Sequence, residues 1–328
     1  MPGTRSDSEN SVIKDLYKVN LRTKYDYKVM HPEIFTVVEG SAGAGEKETQ
    51  LLGADQLILK ESENQKIEFT SPEEGWQSLC KYDTYMRGLC LSKERIRDDV
   101  KNGNTILQKF AKTWTKRDMQ KRETVCAQVF NNGSDLSGHD IFNGTHPGNT
   151  DSSGDTLFDG YPFFNLTGNA RTSKGGVATY YNSVASLTLT PDNFETMWIL
   201  ATVTNAVDEL DIIEDLDVDT LLTECGADDL MAQRILNSEY IPNRTTNDIN
   251  PYYKRLEHRK WRYLNDSAFY VGKRQHEDFQ FRVRQDPEID YFEDKTNKTQ
   301  NASYDTRFGV WILFAGFRIW TKGGGSYA

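Results

Sequence analysis

Residues 104–131 carry a long helical pattern that is apolar at both ends and polar in the middle. Leu107, Phe110, Ala111 and Trp114 stand on one face, and Val125, Cys126, Val129 and Phe130 resume it. Between them runs Thr115–Thr124, in which Met119 alone is apolar. Asn104 or Thr105 can cap the start, and Asn131-Asn132-Gly133 stops the helix. About 27 residues at 1.5 Å rise make a rod of roughly 40 Å. Such a rod suits a spine in a thin, extended subunit. Its ends pack, and its middle stays wet or meets a partner.

Two other segments also lack a core of their own. From Lys14 to Lys28, Leu16, Tyr17, Val19, Leu21, Tyr25 and Tyr27 alternate with Lys14, Lys18, Arg22, Lys24 and Lys28, without a continuous helical stripe. This reads as an arm over residues 1–35 that lies on another surface. Residues 36–90 read as a long β-hairpin. Phe35–Val38 leads into the flexible Gly40–Gly45 stretch, and Gln56–Lys60 and Lys66–Thr70 alternate polar and apolar as short strands. An isolated two-stranded ribbon is marginal in water, so this one needs something to lie on.

Composition supports a folded chain with much surface. Of its 328 residues, 37% are apolar, 12% aromatic and 27% charged. Disordered chains are poor in aromatics. The net charge of −10 argues against uniform attraction to nucleic acid. No run of about 18 apolar residues occurs, and Met1–Asn10 lacks an apolar signal-like core, so a cytoplasmic origin is expected. Cys80, Cys90, Cys126 and Cys225 show no Cys-x-x-Cys spacing and are expected to be reduced, packed thiols.

Residues 132–183, rich in Gly, Ser, Thr, Asn and Asp, read as a long surface excursion. Thr190 caps a helix with Pro191 at its first position and with Phe194, Met197, Trp198, Ala201 and Val207 inward. Leu210–Leu222 reads as a strand region with acidic punctuation. Ala227–Ser238 reads as a helix burying Leu230, Ala232, Ile235 and Leu236. Strands are expected at 268–271, 279–283 and 307–314, the last central because it is nearly continuous in apolar residues. Lys322-Gly323-Gly324-Gly325 ends the fold.

Enzymatic patterns fail on their details. Phe35–Val38 followed by Gly40–Gly45 imitates a strand feeding a phosphate cradle. A phosphate-binding loop needs Lys directly after its last Gly, then Ser or Thr, at a helix start. Here Glu46, Lys47 and Glu48 follow Gly45, and two carboxylates repel phosphate. The acidic run from Asp208 to Asp219 lacks calcium-loop spacing and reads as a solvated face. His31, His139, His146, His258 and His276 form no His-Glu-x-x-His pattern. Neither a metal nor a cofactor is expected. Lys109, Lys112, Lys116, Arg117, Lys121 and Arg122 form a basic stripe without a base-stacking platform, better suited to a neighbour's acids.

The order of these elements resembles the Hong Kong 97-type capsid fold of tailed phages, an α+β fold. Local phrases resemble its Mu-like major head subunits: Leu91–Asp99 before the spine, Val129–Asn132 at its end, Asp140–Asn143 with His146-Pro147, Ile235–Glu239, Asn247–Pro251 and Ala268-Phe269-Tyr270. The resemblance spans roughly residues 60–320. It implies an arm (1–35), an extended hairpin loop (36–90), a peripheral domain with the spine (91–183), an axial domain (184–265) and return strands (266–328). It also implies a major capsid protein, not an enzyme, that self-assembles through hexamers and pentamers into the icosahedral head shell around packaged double-stranded DNA. A portal and possibly scaffold and decoration or cement proteins are the further partners, and the virion, assembled in host cytoplasm, is the location. Expected inter-subunit contacts are Lys14, Lys18 and Arg22 on the arm, Lys60, Glu61 and Lys66 on the hairpin, and Lys116, Arg117, Lys121 and Arg122 on the spine. The competing readings are a glycine-loop nucleotide-binding enzyme and a tail or decoration protein.

Overall fold

A computed structural model describes residues 29–40, 45–52, 66, 71–95, 98, 105–134, 162–173, 176, 179–208, 210–242, 248–264, 267–294, 296–297 and 299–325. In chain order the elements are α1 (His31–Ile34), β1 (Thr36–Glu39), β2 (Gly45–Leu52), β3 (Glu73–Lys81), β4 (Asp83–Ser92) and the spine α2 (Thr105–Asn131). There follow β5 (Arg171–Thr172), β6 (Thr179–Tyr180), β7 (Ser183–Val184), α3 (Pro191–Ile199), β8 (Thr220–Thr223), α4 (Ala227–Asn237) and β9 (Glu257–Lys260). The chain closes with β10 (Ala268–Gly272), β11 (Phe279–Asp294), β12 (Thr299–Ile312), α5 (Gly316–Ile319) and β13 (Trp320–Gly324). The expected α+β class and the spine are both present.

One sheet has the order β1-β11-β12-β4. As its apolar run predicts, β12 is central there. A second sheet has the order β7-β13-β10-β8-β9 and is apolar on both faces. Leu222, Ala268 and Tyr270 look into the core under α2, while Leu221, Phe269 and Val271 look into the core under α3 and α4. Burial on both sides explains why Leu221-Leu222 and Ala268–Val271 read as unbroken apolar runs. Phe130 is the centre of the first core. Its ring lies 5.0 Å from Tyr270, 5.3 Å from Trp320 and 5.9 Å from both Trp261 and Phe279.

The Thr190 cap behaves as the sequence predicts, while Asn104 lies outside the described residues. Thr190 Oγ1 accepts the Asn193 N–H at 3.3 Å, and Pro191 occupies a position whose N–H has no helical partner. Helix α3 then widens into a π turn over Leu200–Thr204.

Several expectations need correction. The middle of α2 is not uniformly wet, because Thr115 and Glu123 are buried. Glu123 Oε1 accepts the N–H groups of Met30 (2.8 Å) and His31 (3.0 Å) and lies 2.7 Å from His31 Nδ1. Its Oε2 accepts the Trp261 indole N–H at 2.6 Å. The carboxylate thus ties together three segments that are far apart in sequence. Part of the supposed surface excursion is core: Phe163, Phe164, Asn165, Tyr180 and Asn182 are buried, because an aromatic pair fills the space beneath α2. The rest of it, 135–161, lies outside the described residues.

Within Leu210–Leu222 only 220–223 is strand. Asp208 instead closes a turn by accepting the N–H groups of Leu210 and Ile212, both at 2.8 Å. Leu230 faces solvent because the apolar side of α4 passes through Ala232, Ile235 and Leu236. Lys322-Gly323 does not merely end the chain. It lies in the second sheet, where Phe269 sits so close that a Cβ at 323 would meet its ring at 2.4 Å. Finally, Cys80 and Cys126 are buried, but Cys90 and Cys225 are exposed. Burial pushes the Cys80 thiol up to about 12.

Candidate assembly surface

Strands β2 and β3 form an antiparallel ribbon that encloses residues 53–72. The expected short strands at 56–60 and 66–70 lie outside the described residues, apart from the exposed Lys66. The legs of the hairpin are therefore β2 and β3. The root of the ribbon is secured by its own chain. Ser78 Oγ accepts the Trp311 indole N–H at 2.7 Å. Cys80, Tyr82, Trp311, Leu313 and Phe314 form a small core there, and Glu46 pairs with Arg282. Further out, Leu51 is 74% exposed.

A second ribbon is made by the distal halves of β11 and β12, extended by β4. Its register sorts the side chains. The row Ile289–Tyr304–Arg87 lies on the side of α2, because Tyr304 packs on Trp114 at 5.7 Å. The row Glu288–Asp305–Met86 must then face the other way. Met86 is 74% exposed and Phe292 is 58% exposed. Between α2 and β4 runs a groove of ≈ 700 Å³, lined by Tyr85, Met86, Arg87, Trp114, Arg117 and Lys121 among others.

The expected contact residues fall in different places. Lys14, Lys18, Arg22, Lys60 and Glu61 lie outside the described residues. Lys116 and Arg117 are exposed on α2, with Arg117 donating to Gln120 at 2.9 Å. Lys121 stands 4.9 Å over the Tyr85 ring at the groove. Arg122 is already engaged within the subunit. It pairs with Asp118 at 3.0 Å and lies over the rings of Phe281 and Phe308 at 5.9 and 5.3 Å. Burial pushes the Asp118 carboxyl up, and the Arg122 guanidinium opposes that shift. Sequence reading missed the outer ribbon because Asp286, Glu288 and Asp290 mask its alternation. The inward series Ala302, Tyr304, Thr306, Phe308 and Val310 was its signal.

Residue Gly45 opens a strand rather than a helix, so the glycine stretch does not feed the helix N-terminus that a phosphate cradle uses. Among the described residues, no group of three or more His, Cys, Asp and Glu could hold a metal. His258 meets Thr223 Oγ1 at 2.9 Å across β8 and β9 and lies 3.8 Å from Asp229, and His276 Nδ1 accepts the Asp278 N–H at 3.1 Å. Among the described residues, no helix is long and apolar enough to cross a membrane.

No protein-family profile matches the chain, and no curated protein matches it. Solved structures do. The capsid of the myovirus phage XM1 superposes with a TM-score of 0.52 at 8% identity, covering 93% of this chain and 94% of that one. The capsid of Ralstonia phage GP4 gives 0.53 at 10% identity, covering 89% and 88%. The mature capsid of bacteriophage PhiM1 gives 0.52 at 8% identity, covering 92% and 88%. The narrower Mu-like kinship rests on the local phrases of the sequence alone. At such identities the likeness establishes architecture, and over about nine-tenths of its length this chain has the Hong Kong 97-type fold of tailed-phage capsid subunits.

Proposed function

We propose that the chain is a major capsid protein that self-assembles, through hexamers and pentamers, into the icosahedral head shell enclosing packaged double-stranded DNA. The observation that carries this reading is the shared fold, which runs through nearly the whole of both chains. The uncovered ribbons support it. A lone two-stranded ribbon is marginal in water, so one with an exposed Leu51 gains stability by lying on a neighbour. In this reading, residues 184–265 around α3 and α4 form the axial domain. The spine and the β1-β11-β12-β4 sheet form the peripheral domain. Lys66 and Lys121 join Lys14, Lys18, Arg22, Lys60 and Glu61 as contacts to other copies or to portal, scaffold or decoration proteins. The virion is the place of action and host cytoplasm the place of assembly.

Electron microscopy of the expressed chain is the decisive test. Closed particles or capsomers are the expected result. A compact monomer at every protein concentration, salt and crowding condition tried would overturn the reading. The ribbon gives a finer prediction. A buried Leu side chain contributes about 1.5–3 kcal/mol, and about 1.4 kcal/mol is tenfold in an equilibrium constant. Leu51→Asp should therefore raise the concentration needed for assembly at least about tenfold, by light scattering, with the subunit's unfolding midpoint unchanged.

A further inference from the structure

The outward side of the spine helix carries a row of cations that the shell contacts do not use. Lys109, Lys112 and Lys116 are all exposed, and none forms an ion pair among the described residues. At about 100° per residue they fall within roughly 60° of each other on α2. Trp114, on the inward side, is buried against Tyr304. Arg117 flanks the row, and Lys121 and Arg87 continue positive charge toward the groove. The sheet beneath places Glu288, Asp305 and Asp290 on its far face, directed away from the helix, together with Arg307. The outward side of the helix is thus the more uniformly cationic of the two faces, in a chain whose net charge is −10.

We infer that Lys109, Lys112, Lys116 and Arg117 form a phosphate-binding ridge for double-stranded DNA, marking the face of the subunit that looks into the shell. This rests on the shell reading. Glu288 and Asp290 lie on the far side of the sheet from the row and do not neutralise it within the subunit. A polyanion held inside the wall can. Three lysines over roughly 10 Å of helix meet a duplex that offers one phosphate per about 3.4 Å of each strand. No base-stacking platform is required, because backbone contact alone is sequence-independent.

The test uses the full-length chain before assembly and a labelled duplex of about 30 base pairs, followed by fluorescence anisotropy between about 50 and about 200 mM NaCl. Three phosphate contacts predict a slope of log affinity on log salt near −3, a loss of roughly 40-fold across that range. The triple variant Lys109→Gln, Lys112→Gln, Lys116→Gln should bind at least about tenfold more weakly with a shallower slope. The Lys→Arg triple should keep both affinity and slope, as should Glu288→Gln with Asp290→Asn. Absence of binding at about 50 mM salt overturns the ridge. So does unchanged binding by the Gln triple, and if assembly falls in that variant the row belongs to a second copy instead. Particle formation is recorded in parallel. Particles without DNA affinity sink the ridge and leave the shell standing, whereas ridge-dependent binding without particles supports the ridge and sinks the shell.

Discussion

Replacing Glu123 by alanine should destabilise the subunit by about 3–5 kcal/mol, the usual cost of removing one member of a buried, hydrogen-bonded charged set. Alanine is the best helix former, so α2 itself loses nothing. The cost lies in what remains. The N–H groups of Met30 and His31, the His31 ring and the Trp261 indole all lose their acceptor in a site where Glu123 is only 1% exposed. Water cannot readily replace it, and each orphaned donor carries a desolvation penalty of about 1–3 kcal/mol. Because the donors come from the start of α1 and from the segment between β9 and β10, loss of these bonds should also loosen the point where the chain enters from residue 29. Denaturant titration of the unassembled subunit, followed by tryptophan fluorescence, measures the effect, and Trp261 reports on the site directly. Glu123→Gln should recover part of the loss, since its oxygen still accepts while its amide nitrogen opposes a donor. A shift below about 1 kcal/mol for the alanine variant would show that the four bonds do not hold these segments together.

The same residue shows where sequence reading stops. Helical period alone puts Glu123 on the face of Cys126, Ala127 and Phe130, at spacings of three, four and seven. That was a visible sign of burial. The bonds that make burial of an acid tolerable come from residues 92, 93 and 138 positions away, and no local pattern announces them. Signals that act locally were read well. Thr190 and Pro191 start α3, Asn131-Asn132-Gly133 ends the spine, and the apolar run before residue 314 marks the central strand. Where a segment's fate depends on a distant surface, polarity misled. Phe163-Phe164, set among Gly, Ser and Asn, has the setting of a surface loop and is nevertheless buried, because two adjacent aromatics are hard to leave in water. Lys322 looked like a tail residue, yet its backbone completes a sheet and its ammonium reaches Ser134 Oγ at 3.1 Å. The assembly surface was partly readable for a different reason. Exposed charge on a regular helix needs no tertiary information, so Lys116, Arg117 and Lys121 were identifiable. Arg122, one residue further, turns inward because Asp118 and two phenylalanine rings lie on that side.

Removing the ring of Phe130 should cost the subunit about 3–5 kcal/mol, the range for truncating a fully buried aromatic side chain to alanine. The position is unusual in what it joins. Phe130 is fully buried on the last turn of the spine, and its ring meets Phe35 at 6.3 Å from the entry strand and Phe164 at 6.2 Å from the inserted loop. It meets Trp261, Tyr270, Phe279 and Trp320 from four further segments, mostly edge to face. Each such pair is worth about 0.5–1.5 kcal/mol beyond area, so the loss should sit at the upper end of the range. The neighbours belong to both major sheets and cannot all move in to fill the gap, and an unfilled cavity costs in proportion to its volume. Phe130→Leu should restore much of the volume but not the edge-to-face geometry, placing its loss between wild type and alanine. Because these contacts lie inside one copy, both variants should lower the subunit's unfolding midpoint. The Leu51→Asp change should not. That contrast separates what the chain builds alone from what it leaves for its neighbours. If Phe130→Ala left the unassembled subunit at wild-type stability while blocking particles, the junction of the two sheets would be made by other copies, and the division between internal core and shell contact drawn from the burial of Phe130 would be wrong.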